Sequence, residues 1–486
     1  MSPLPPSSSA NWPAEGTIDR MRVFNTLGRR YEEFTTREEG KAAIYLCGPT
    51  VQSDPHVGHG RAAVAFDVIR RYLQWRGYDV TLVQNVTDVE DRIIAAAHES
   101  GVPVEQLAKE MTDRFQAAYR TLGVLAPDVE PRATDHIAQM QQMIATLIER
   151  GYAYESGGDV YFVVRSFSAY GELSGHRIDD LISGARVEPG ENKRDPLDFA
   201  LWKGAKPGEP QWNSPWGPGR PGWHIECSAM SLEYLGNGFD IHGGGTDLIF
   251  PHHENEIAQS EAATGERFAR YWLHNGMVNL GGEKMAKSTG QVIGLEEAIR
   301  RFTPMAIRLF YLRAHYRTPQ EYSETLLADA KTSVDRLWAF RRRGALGGDP
   351  DGAAMHRFRE VMDDDFNTPE AVGVLFDVVR EGNRRLDAGE SSGPQVAAFD
   401  VIAGVLGLVP PPDSVSDLDD DLAALAAKVG IDTGTSAEET VNRLIEARRT
   451  AREERDWARA DSVRNGLVDL GVMVEDTPDG VRWHRR

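Results

Sequence analysis

The sequence predicts an α/β protein that begins with a doubly wound parallel sheet of the Rossmann-like kind, continues as a helical region and ends in a small α+β module. Three observations predict this order. Strand–helix–strand units stand at residues 41–88 and 239–280, and units of this length require parallel pairing. From about residue 305 the strand patterns stop and amphipathic helices follow. Near the end, "TPDG" joins two alternating runs and predicts a turn.

The first unit supplies the first strand ends of the predicted sheet. The apolar run "KAAIYLC" (41–47) has strand length, residues 61–78 have apolar side chains at helical spacing, and "DVTLVQNVTD" (79–88) is a second strand. Parallel sheets bind ligands at the carboxyl ends of their strands. Cys47 and Thr87 both stand at such ends and are therefore expected at the binding edge.

The second unit repeats this pattern after a long intervening segment. "FDIHGGG" is a strand followed by a glycine run, "HHENEIAQSEAAT" is a helix, and "YWLHNGMVNL" is another strand. Between the two units, residues 90–150 are mostly helical, and residues 152–164 predict a hairpin with a glycine turn. Residues 196–230 are rich in tryptophan, glycine and proline, which predicts irregular structure.

These patterns divide the chain into successive domains. The predicted order is a disordered leader (1–18), a parallel-sheet domain (19–304) with an inserted connective region at about 115–215, a helical domain (305–406), a linker (407–421) and a small C-terminal module (422–486). The linker is placed by its proline and aspartate content.

Composition limits the class of protein. The 486 residues are 41% hydrophobic, as expected for a globular protein of about three domains. No apolar run reaches the ~18 residues that a membrane span needs, and two cysteines cannot form a disulfide framework, so a cytoplasmic protein is expected. The formal charge of −20 argues against a general nucleic-acid coat. Residues 443–464 nevertheless hold seven arginines against five acids, so they can bind a tRNA-sized partner locally.

Two short segments carry residues that suit phosphate. His56 and His59 of "HVGH" stand at the start of a helix, where unpaired backbone N–H groups favour anions. In the loop "GGEKMAKSTG" (281–290), Lys284 and Lys287 can converge on a polyphosphate. Each segment alone has an ordinary explanation, as solvent-facing histidines or as a solvated lysine loop. Their occurrence together on a doubly wound sheet favours a nucleotide site.

The two segments resemble the two signatures of class I aminoacyl-tRNA synthetases. Within that class, the neighbouring sequence is similar to the cysteinyl-tRNA synthetase family along several stretches in the same order: "YLCGPTV", "AFDVIRRYL", "NVTDVEDRI", "SPWGPGRPGWHIECSAM", "FDIHGGGTDLIFPHHENEIAQSE", "MDDDFNTPEA" and "DWARADSVRNGL". The resemblance runs from about residue 20 to the C-terminus. It implies that residues 19–304 are the catalytic domain, that residues 305–406 are a stem-contact domain and that residues 422–486 are an anticodon-binding module. One departure is Ala286, where the second signature of the family usually has serine. Both lysines and Ser288 remain, so Ala286 bears only on the free energy with which this loop closes over a ligand.

The resemblance implies roles in ATP chemistry. His56, His59, Lys284 and Lys287 are the expected catalytic residues, which stabilise charge on the α-phosphate and the leaving pyrophosphate by positioning and electrostatics. Asp247 resembles the ribose contact, with a role as a helix cap as the alternative. The remaining ATP-binding residues are expected to be Gly58, Gly243, Gly244, Gly245, Lys287 and Ser288. Mg²⁺ is expected with ATP, although the sequence shows no dedicated site for it.

The resemblance also implies an amino-acid pocket. Trp223 resembles its wall, although a tryptophan more often belongs simply to the core. Gly48, Thr87 and His242 are the further substrate-binding residues that we expect.

The stretch "IFPHHENEIA" suggests a metal site. His252 and Glu256 are spaced i, i+4, which places both on one face of a helix. The resemblance joins them with Cys47 and Cys227 as the ligands of one Zn²⁺ per chain, and these ligand types suit zinc. Structural zinc sites more often use closely spaced cysteine pairs, and this chain has none. For His253 and Glu254 we expect surface exposure or hydrogen bonds behind the ligands.

The function that the resemblance implies is ATP-dependent ligation of L-cysteine to its cognate tRNA, through cysteinyl-adenylate, by a monomer with no membrane association. One alternative is the related ligase that joins cysteine to an amino sugar in mycothiol synthesis, which is shorter at the C-terminus. The arginine-rich segment 443–464 and the "TPDG" hairpin favour the tRNA enzyme. A second alternative, a non-catalytic tRNA-binding or zinc-storage protein, would not need both ATP signatures.

Overall fold

The computed structural model describes residues 20–178, 192–284, 293–345, 347–409, 418–434, 436–477 and 480–485. The chain forms two compact units, which divide between Leu408 and Val409. The predicted leader (1–18) lies outside the described residues, as do Ala286, Lys287 and Ser288. Most of the predicted linker also lies outside them, and so do the two central residues of "TPDG".

The described residues form strands and helices in the following order. The strands are β1 (Arg22–Asn25), β2 (Arg30–Glu33), β3 (Lys41–Leu46), β4 (Asp79–Gln84), β5 (Ala153–Ser156), β6 (Asp159–Phe162), β7 (Phe199–Gly204), β8 (Gly219–Pro221), β9 (Phe239–Gly245), β10 (Ala269–Asn275), β11 (Val278–Leu280), β12 (Glu283–Lys284), β13 (Gln320–Glu321), β14 (Val472–Thr477) and β15 (Gly480–Arg485). The helices are α1 (Val57–Trp75), α2 (Asp91–Ser100), α3 (Val104–Thr121), α4 (Ile137–Glu149), α5 (Trp223–Leu235), α6 (Glu254–Thr264), α7 (Leu295–Phe302), α8 (Pro304–Leu312), α9 (Glu324–Arg343), α10 (Gly352–Asp363), α11 (Thr368–Asp387), α12 (Gly393–Leu406), α13 (Asp419–Lys428), α14 (Ala437–Glu453) and α15 (Trp457–Asp469).

The central sheet is parallel, as predicted. Its strand order is β10–β9–β3–β4, with every neighbouring pair parallel. Alternate residues of β3 enter different cores, because Ile44 and Leu46 pack on one face of the sheet and Ala43 and Tyr45 pack on the other. A sheet buried on both faces is the doubly wound arrangement. The strand order changes direction between β3 and β9, which is where such sheets open a binding crevice.

The segment between the two halves of the sheet differs in part from the prediction. The hairpin of β5 and β6 is confirmed, with Gly157 and Gly158 at positive φ in its turn. The expectation of irregular structure over 196–230 is wrong. Strands β7 and β8 complete an antiparallel sheet in the order β5–β6–β7–β8, and α5 begins at Trp223.

The glycines of this segment allow two strands to pack closely, and they do not mark irregular structure. A Cβ on Gly222 would lie 2.0 Å from the Ala200 carbonyl oxygen, and one on Gly219 would lie 2.3 Å from the Lys203 carbonyl oxygen. Only a residue without a side chain lets these backbones approach. Glycine content therefore marks a tight strand pair in this segment.

Beyond residue 293 the first unit is mainly helical, from α7 to α12. The expectation that strands stop after about 305 needs a small correction, because Gln320 and Glu321 form β13 and pair with β11. The second unit contains α13, α14 and α15 and the antiparallel pair β14–β15, whose register joins Thr477 to Gly480. Its core is formed by apolar side chains such as Leu444, Val463 and Leu467.

A buried charge cluster ties the first helix of the sheet to the helical region. The Asp67 carboxylate accepts hydrogen bonds from Arg308 at 2.6 Å and from Arg71 at 2.8 Å, and the Asp67 and Arg308 side chains are fully buried. Burial alone would raise the pKa of Asp67, but the charges of Arg308 and Arg71 outweigh it and hold the pKa below its ordinary value. Removing the carboxylate would leave the Arg308 guanidinium buried without its partner.

We therefore predict that Asp67→Ala lowers the free energy of unfolding by ~3–5 kcal/mol at neutral pH. In the native protein this contribution is present above about pH 4, the pKa range of an unfolded aspartate, and is lost as the pH falls through the lowered pKa. Chemical denaturation followed by tryptophan fluorescence measures the change. Asp113→Ala is the control, because its pair with Lys109 is exposed and its removal should leave stability unchanged. A loss for Asp67→Ala no larger than the control's would contradict the prediction.

Candidate functional site

The functional residues gather at the carboxyl edge of the central sheet. Cys47 and Gly48 follow β3 directly, Asn85 and Thr87 follow β4, and the glycine run ends β9. The backbone N–H of Cys47 donates to the Gly243 carbonyl at 3.1 Å, so the pairing of β3 and β9 continues to this edge. Because the strands are parallel, residues distant in sequence meet here.

Four of the predicted residues come together as a group of metal-binding atoms. One ligand atom from each of Cys47, Cys227, His252 and Glu256 lies within 4.8 Å of all the others. The Glu256 Oε1 is 3.1 Å from His252 Nε2 and 3.4 Å from Cys47 Sγ. All four residues except Cys47, which is partly exposed, are buried. The predicted ligands therefore share one pocket.

The local structure explains how each side chain reaches this pocket. Cys227 lies in the first turns of α5, so the expectation that it comes from irregular structure is wrong. His252 lies in the kinked segment Ile249–His253, in which Phe250 has an extended backbone, and Glu256 lies in the first turn of α6, which follows directly. The i, i+4 spacing holds across this junction and places both side chains on one face.

The surroundings of the pocket favour the neutral forms of Cys47 and His252. Burial, and then the hydrogen bond and charge of Cys227, raise the pKa of the Cys47 thiol well above its ordinary value. Burial and the neighbouring His224 and His242 rings lower the pKa of His252 well below its ordinary value. Within the described part of the chain, no lysine or arginine forms an ion pair with Glu256. A cation bound between these side chains would supply the positive charge that this lysine- and arginine-free ion-pair environment of Glu256 lacks.

A layer of histidines lies behind these four residues. His242 Nε2 is 2.9 Å from Glu256 Oε2, and the His242 ring stacks on Trp272 with 4.3 Å between ring centroids. His224 Nδ1 is 2.9 Å from His252 Nδ1. His253 Nδ1 is 2.8 Å from His274 Nε2. The layer therefore supports both His252 and Glu256.

His253 and Glu254 are both buried, so surface exposure is the wrong expectation for them. The other expectation, hydrogen bonds behind the ligands, describes His253, whose Nδ1 faces His274 and whose Nε2 lies 4.0 Å from Glu256 Oε1, but it does not describe Glu254. Glu254 accepts hydrogen bonds from the backbone N–H groups of Gly171 at 2.9 Å and Ser174 at 2.8 Å. It therefore holds the turn 171–174 of the connective segment against the start of α6.

Asn85 is a central residue that the sequence did not single out. Its Oδ1 accepts a hydrogen bond from the Gly48 N–H at 2.8 Å and contacts Cys227 Sγ at 3.7 Å, and its Nδ2 donates to Thr87 Oγ1 at 3.2 Å. It thus links the ends of β3 and β4 with α5. The one signal available in the sequence was a polar residue directly after a strand, on the same edge as Cys47.

Gly48 lies against the backbone of Asn85. A Cβ at position 48 would lie 1.6 Å from the Asn85 carbonyl oxygen, far inside van der Waals contact. Thr87, which shares this strand end, is buried. Trp223 is half-buried at the start of α5, where its ring stacks on His252 with 4.3 Å between centroids and lies 5.9 Å from the Arg92 guanidinium carbon. Trp223 thus covers a predicted metal ligand instead of filling the core.

His56 and His59 form a reciprocal cap at the start of α1. His56 Nδ1 accepts a hydrogen bond from the Gly58 N–H at 3.1 Å, and His59 Nδ1 accepts one from the His56 N–H at 3.1 Å. The two rings stack with 3.7 Å between centroids. A neutral ring whose Nδ1 accepts carries its proton on Nε2, so the cap makes Nε2 the donor of each ring.

The glycine run of β9 has a structural reason of its own. A Cβ on Gly243 would lie 2.2 Å from the Phe66 ring of α1, and one on Gly244 would lie 2.8 Å from the His253 ring. Gly245 caps the short turn Thr246–Leu248, and Asp247 is exposed and lies inside this turn, not at its cap position. Lys284 is the last residue of β12. Residues 285–292, which follow it in the loop, lie outside the described part of the chain.

Comparison with protein families identifies the chain. A family model described as the class I (C) tRNA synthetase catalytic domain matches residues 33–332, a DALR domain model matches residues 357–409, and a cysteinyl-tRNA ligase anticodon-binding domain model matches residues 435–483. A cysteine–tRNA ligase of Thioalkalivibrio sulfidiphilus is 49% identical over 96% of this chain and 100% of its own length. One of Pseudomonas aeruginosa is 48% identical over 95% of this chain and 99% of its own.

The chain belongs to the cysteine–tRNA ligase family. Solved structures agree on the fold of these ligases. Mycobacterium tuberculosis methionyl-tRNA synthetase bound by methionyl-adenylate aligns with a TM-score of 0.58 at 16% identity, over 79% of this chain and 94% of that one. An Agrobacterium radiobacter leucyl-tRNA synthetase in a ternary complex with tRNA aligns with a TM-score of 0.56 at 11% identity, over 77% and 84% of the two chains.

The family assignment decides between the functions that the sequence left open. The chain is an aminoacyl-tRNA synthetase, a ligase that joins cysteine to tRNA, and the match to an anticodon-binding domain favours this function over the amino-sugar ligase. No helix among the described residues is long and apolar enough to cross a membrane. The cysteine–tRNA ligase activity gives a direct assay for the residues at the sheet edge.

We predict that Gly48→Ala lowers kcat/KM for cysteine in tRNA charging by about a hundredfold, because a Cβ there must push β3 and Asn85 apart by roughly 1 Å. Steady-state charging assays with varied cysteine measure it. Gly373→Ala is the matched control, since that glycine lies within α11 with open space around its Cβ position. A folded Gly48→Ala variant with the control's kcat/KM would show that this close approach is not needed for activity.

Proposed function

We propose that this cysteine–tRNA ligase acts in two steps, formation of cysteinyl-adenylate from cysteine and ATP and then transfer of cysteine to the terminal ribose of its cognate tRNA. We propose further that Cys47, Cys227, His252 and Glu256 hold one Zn²⁺ that recognises the substrate's sulfur. The observation that supports this most strongly is the convergence of these four ligand atoms within 4.8 Å at the binding edge of the sheet.

The donors fit zinc by type and by environment. Thiolate, imidazole and carboxylate are all zinc ligands, and the buried Glu256, which has no lysine or arginine partner among the described residues, gains from a divalent ion. When bound there, zinc would supply a Lewis acid that holds the cysteine sulfur as a thiolate. The protein's contribution is to orient the ligands, which His242, His224 and Asn85 do by the contacts described above.

The capped histidine pair suits phosphate chemistry. With both Nδ1 atoms accepting backbone hydrogen bonds, His56 and His59 can donate from Nε2 to phosphate oxygens beside the N-terminus of α1. We propose that this pair, with Lys284 and Lys287, stabilises the negative charge that builds up as the amino-acid carboxylate attacks the α-phosphate and pyrophosphate leaves. No covalent bond to the protein is required in this step.

Most of the remaining residues that we propose for ATP binding lie at the carboxyl edge of the sheet. Asp247 is exposed after β9, where a carboxylate can accept hydrogen bonds from ribose hydroxyls. Gly58 and the run Gly243–Gly245 present backbone instead of side chains, and Ser288 belongs with Lys287 in the loop that we propose covers the phosphates. ATP would bring Mg²⁺ with it.

The amino-acid pocket is proposed to lie between Gly48, Thr87, Trp223 and His242. Trp223 stacks on His252 and Thr87 joins the hydrogen-bond chain of Asn85, so both border the ligand group. His242 is fully buried against Glu256, which suits a residue that fixes the carboxylate at the base of the pocket.

Zinc would explain how cysteine is told from serine. The two side chains differ by one atom, and an apolar pocket separates such near-isosteres by only ~1–3 kcal/mol. A thiolate is a far better zinc ligand than a hydroxyl, which is harder and much less acidic. Recognition through the sulfur would therefore make a separate editing domain unnecessary.

We predict that Cys227→Ser weakens zinc affinity by about a hundredfold or more and weakens cysteine binding with it, while ATP binding changes little. Removing a residue that hydrogen-bonds to a metal ligand typically lowers metal affinity by ~10–100-fold, and removing the ligand itself costs at least as much. Zinc content by mass spectrometry and cysteine affinity by calorimetry measure the two effects together.

Ser231→Ala is the matched control for this variant, because Ser231 is buried on the same helix and lies outside the ligand group. Circular dichroism checks that both variants fold. A folded, zinc-free Cys227→Ser protein that binds cysteine tightly and rejects serine would show that the metal has no part in recognition.

tRNA binding is proposed to involve the helices after residue 305 for the stem and the second unit for the anticodon. The second unit carries arginines on α14 and α15, and several are exposed, such as Arg449 and Arg464. Exposed arginines suit phosphate contacts. We expect the protein to act as a cytoplasmic monomer.

Deletion of the chain after residue 410 is predicted to leave cysteine-dependent ATP–pyrophosphate exchange within about twofold of the full-length rate, because the compact unit that contains the sheet ends at Leu408. Charging of tRNA should fall strongly. The two assays on one preparation separate activation from transfer. Equal charging by the truncated and full-length proteins would contradict an anticodon role for the second unit.

A further inference from the structure

A second group of metal-binding atoms lies beside the first. One ligand atom from each of Cys47, His242, His253 and Glu256 lies within 4.8 Å of all the others, and three of these four residues are fully buried. The two groups share Cys47 and Glu256. They differ in that His242 and His253 take the places of Cys227 and His252.

The two histidines have ring nitrogens that no protein atom satisfies. Within the described part of the chain, His253 Nε2 and His242 Nδ1 have no hydrogen-bond partner, although both rings are fully buried, and it is the other His242 nitrogen, Nε2, that faces Glu256 Oε2 at 2.9 Å. His253 Nε2 is 4.0 Å from Glu256 Oε1, so it faces the carboxylate that both groups share. Buried polar atoms without partners are uncommon in proteins, and a bound ion is one of the things that explains them.

The far side of His253 suits a metal ligand. His253 Nδ1 is 2.8 Å from His274 Nε2, and His274 Nδ1 is 2.8 Å from Thr26 Oγ1. If His253 donates its Nδ1 proton to His274, and His274 donates in turn to the Thr26 hydroxyl, His253 Nε2 carries no proton. Metal-binding histidines commonly have their other ring N–H held in this way.

We propose that Cys47, His242, His253 and Glu256 form a second, inner position for a divalent metal, and that one ion occupies either this position or the one proposed above. The inference rests on the proposed zinc site. Both positions need Cys47 and Glu256, and Cys47, Cys227 and Glu256 together supply at most three negative charges against the four positive charges of two dications, which disfavours two ions in this buried pocket. The inner position therefore competes with the outer one instead of adding a second ion.

The two positions differ in chemistry. The outer group offers two thiolates, and the inner group offers one thiolate and two imidazoles, which are ligands that borderline metals such as Zn²⁺ and Co²⁺ accept. An ion that loses Cys227 or His252 can thus stay in the pocket by moving to His242 and His253. Cys227 and His252 set where the ion sits, while Cys47 and Glu256 keep it bound in both positions.

Cobalt provides the test, because bonds from thiolates to Co²⁺ absorb in the near ultraviolet. The double variant Cys227→Ser/His252→Ala removes both ligands that belong only to the outer group. We expect it to bind one Co²⁺ per chain with roughly half the wild-type thiolate absorbance, since one thiolate remains in place of two. Adding His253→Ala should abolish this binding, while adding His356→Ala, an exposed histidine on α10, should not.

The outcomes separate the two proposals. Wild-type protein that binds no Co²⁺ overturns the zinc site and the inner position with it. Wild-type protein that binds one ion, with a folded double variant that binds none, overturns the inner position alone. Two ions per wild-type chain would overturn the competition between the positions.

If circular dichroism shows that the double variant is unfolded, Cys227→Ser alone carries the test. Adding His253→Ala to it should weaken Co²⁺ affinity at least about tenfold further, because the inner position would then be lost as well. Equal Co²⁺ affinity with and without His253→Ala would overturn the proposal.

Discussion

The arrangement of the site depends on one buried carboxylate. Glu256 has no exposed surface, and its two oxygens contact three residues from different elements. His252 comes from the segment before α6, Cys47 from directly after β3, and His242 from within β9. A buried charge without partners is strongly unfavourable, so these elements must meet around it or leave it unsatisfied. The switch in strand order between β3 and β9 provides the space in which they meet.

Much of this could be predicted from the sequence, because the strand and helix periods of the sheet are strong and its strand ends carry recognisable side chains. The parallel sheet and the convergence of Cys47, Cys227, His252 and Glu256 are predictions that match the structure's geometry. The β7–β8 strands and the start of α5 were missed. Tryptophan, glycine and proline weaken the local patterns there, and the strands are formed by pairing with the β5–β6 hairpin, which no local window contains.

The roles of His253, His274 and Asn85 could not be found by periodicity. Their importance comes from contacts between segments far apart in sequence, such as Thr26 with His274 and Gly48 with Asn85. The glycine run of β9 is a related case. It indicated approach by a ligand, and the structure adds that Phe66 and His253 already occupy the space where side chains of Gly243 and Gly244 would lie. One sequence feature thus serves packing and also leaves backbone at the binding edge.

The spread of the four donors along the chain has a consequence for synthesis. The first, Cys47, precedes Glu256 by more than two hundred residues, and the two meet where β3 pairs with β9, with Ile44 opposite Ile241. Unlike a small zinc finger, whose ligands lie close together and whose metal drives folding, this chain cannot capture an ion while its first half emerges from the ribosome. Metal loading would then be a late event that follows closure of the sheet, and a ribosome-bound fragment ending before residue 252 would have no complete ligand group.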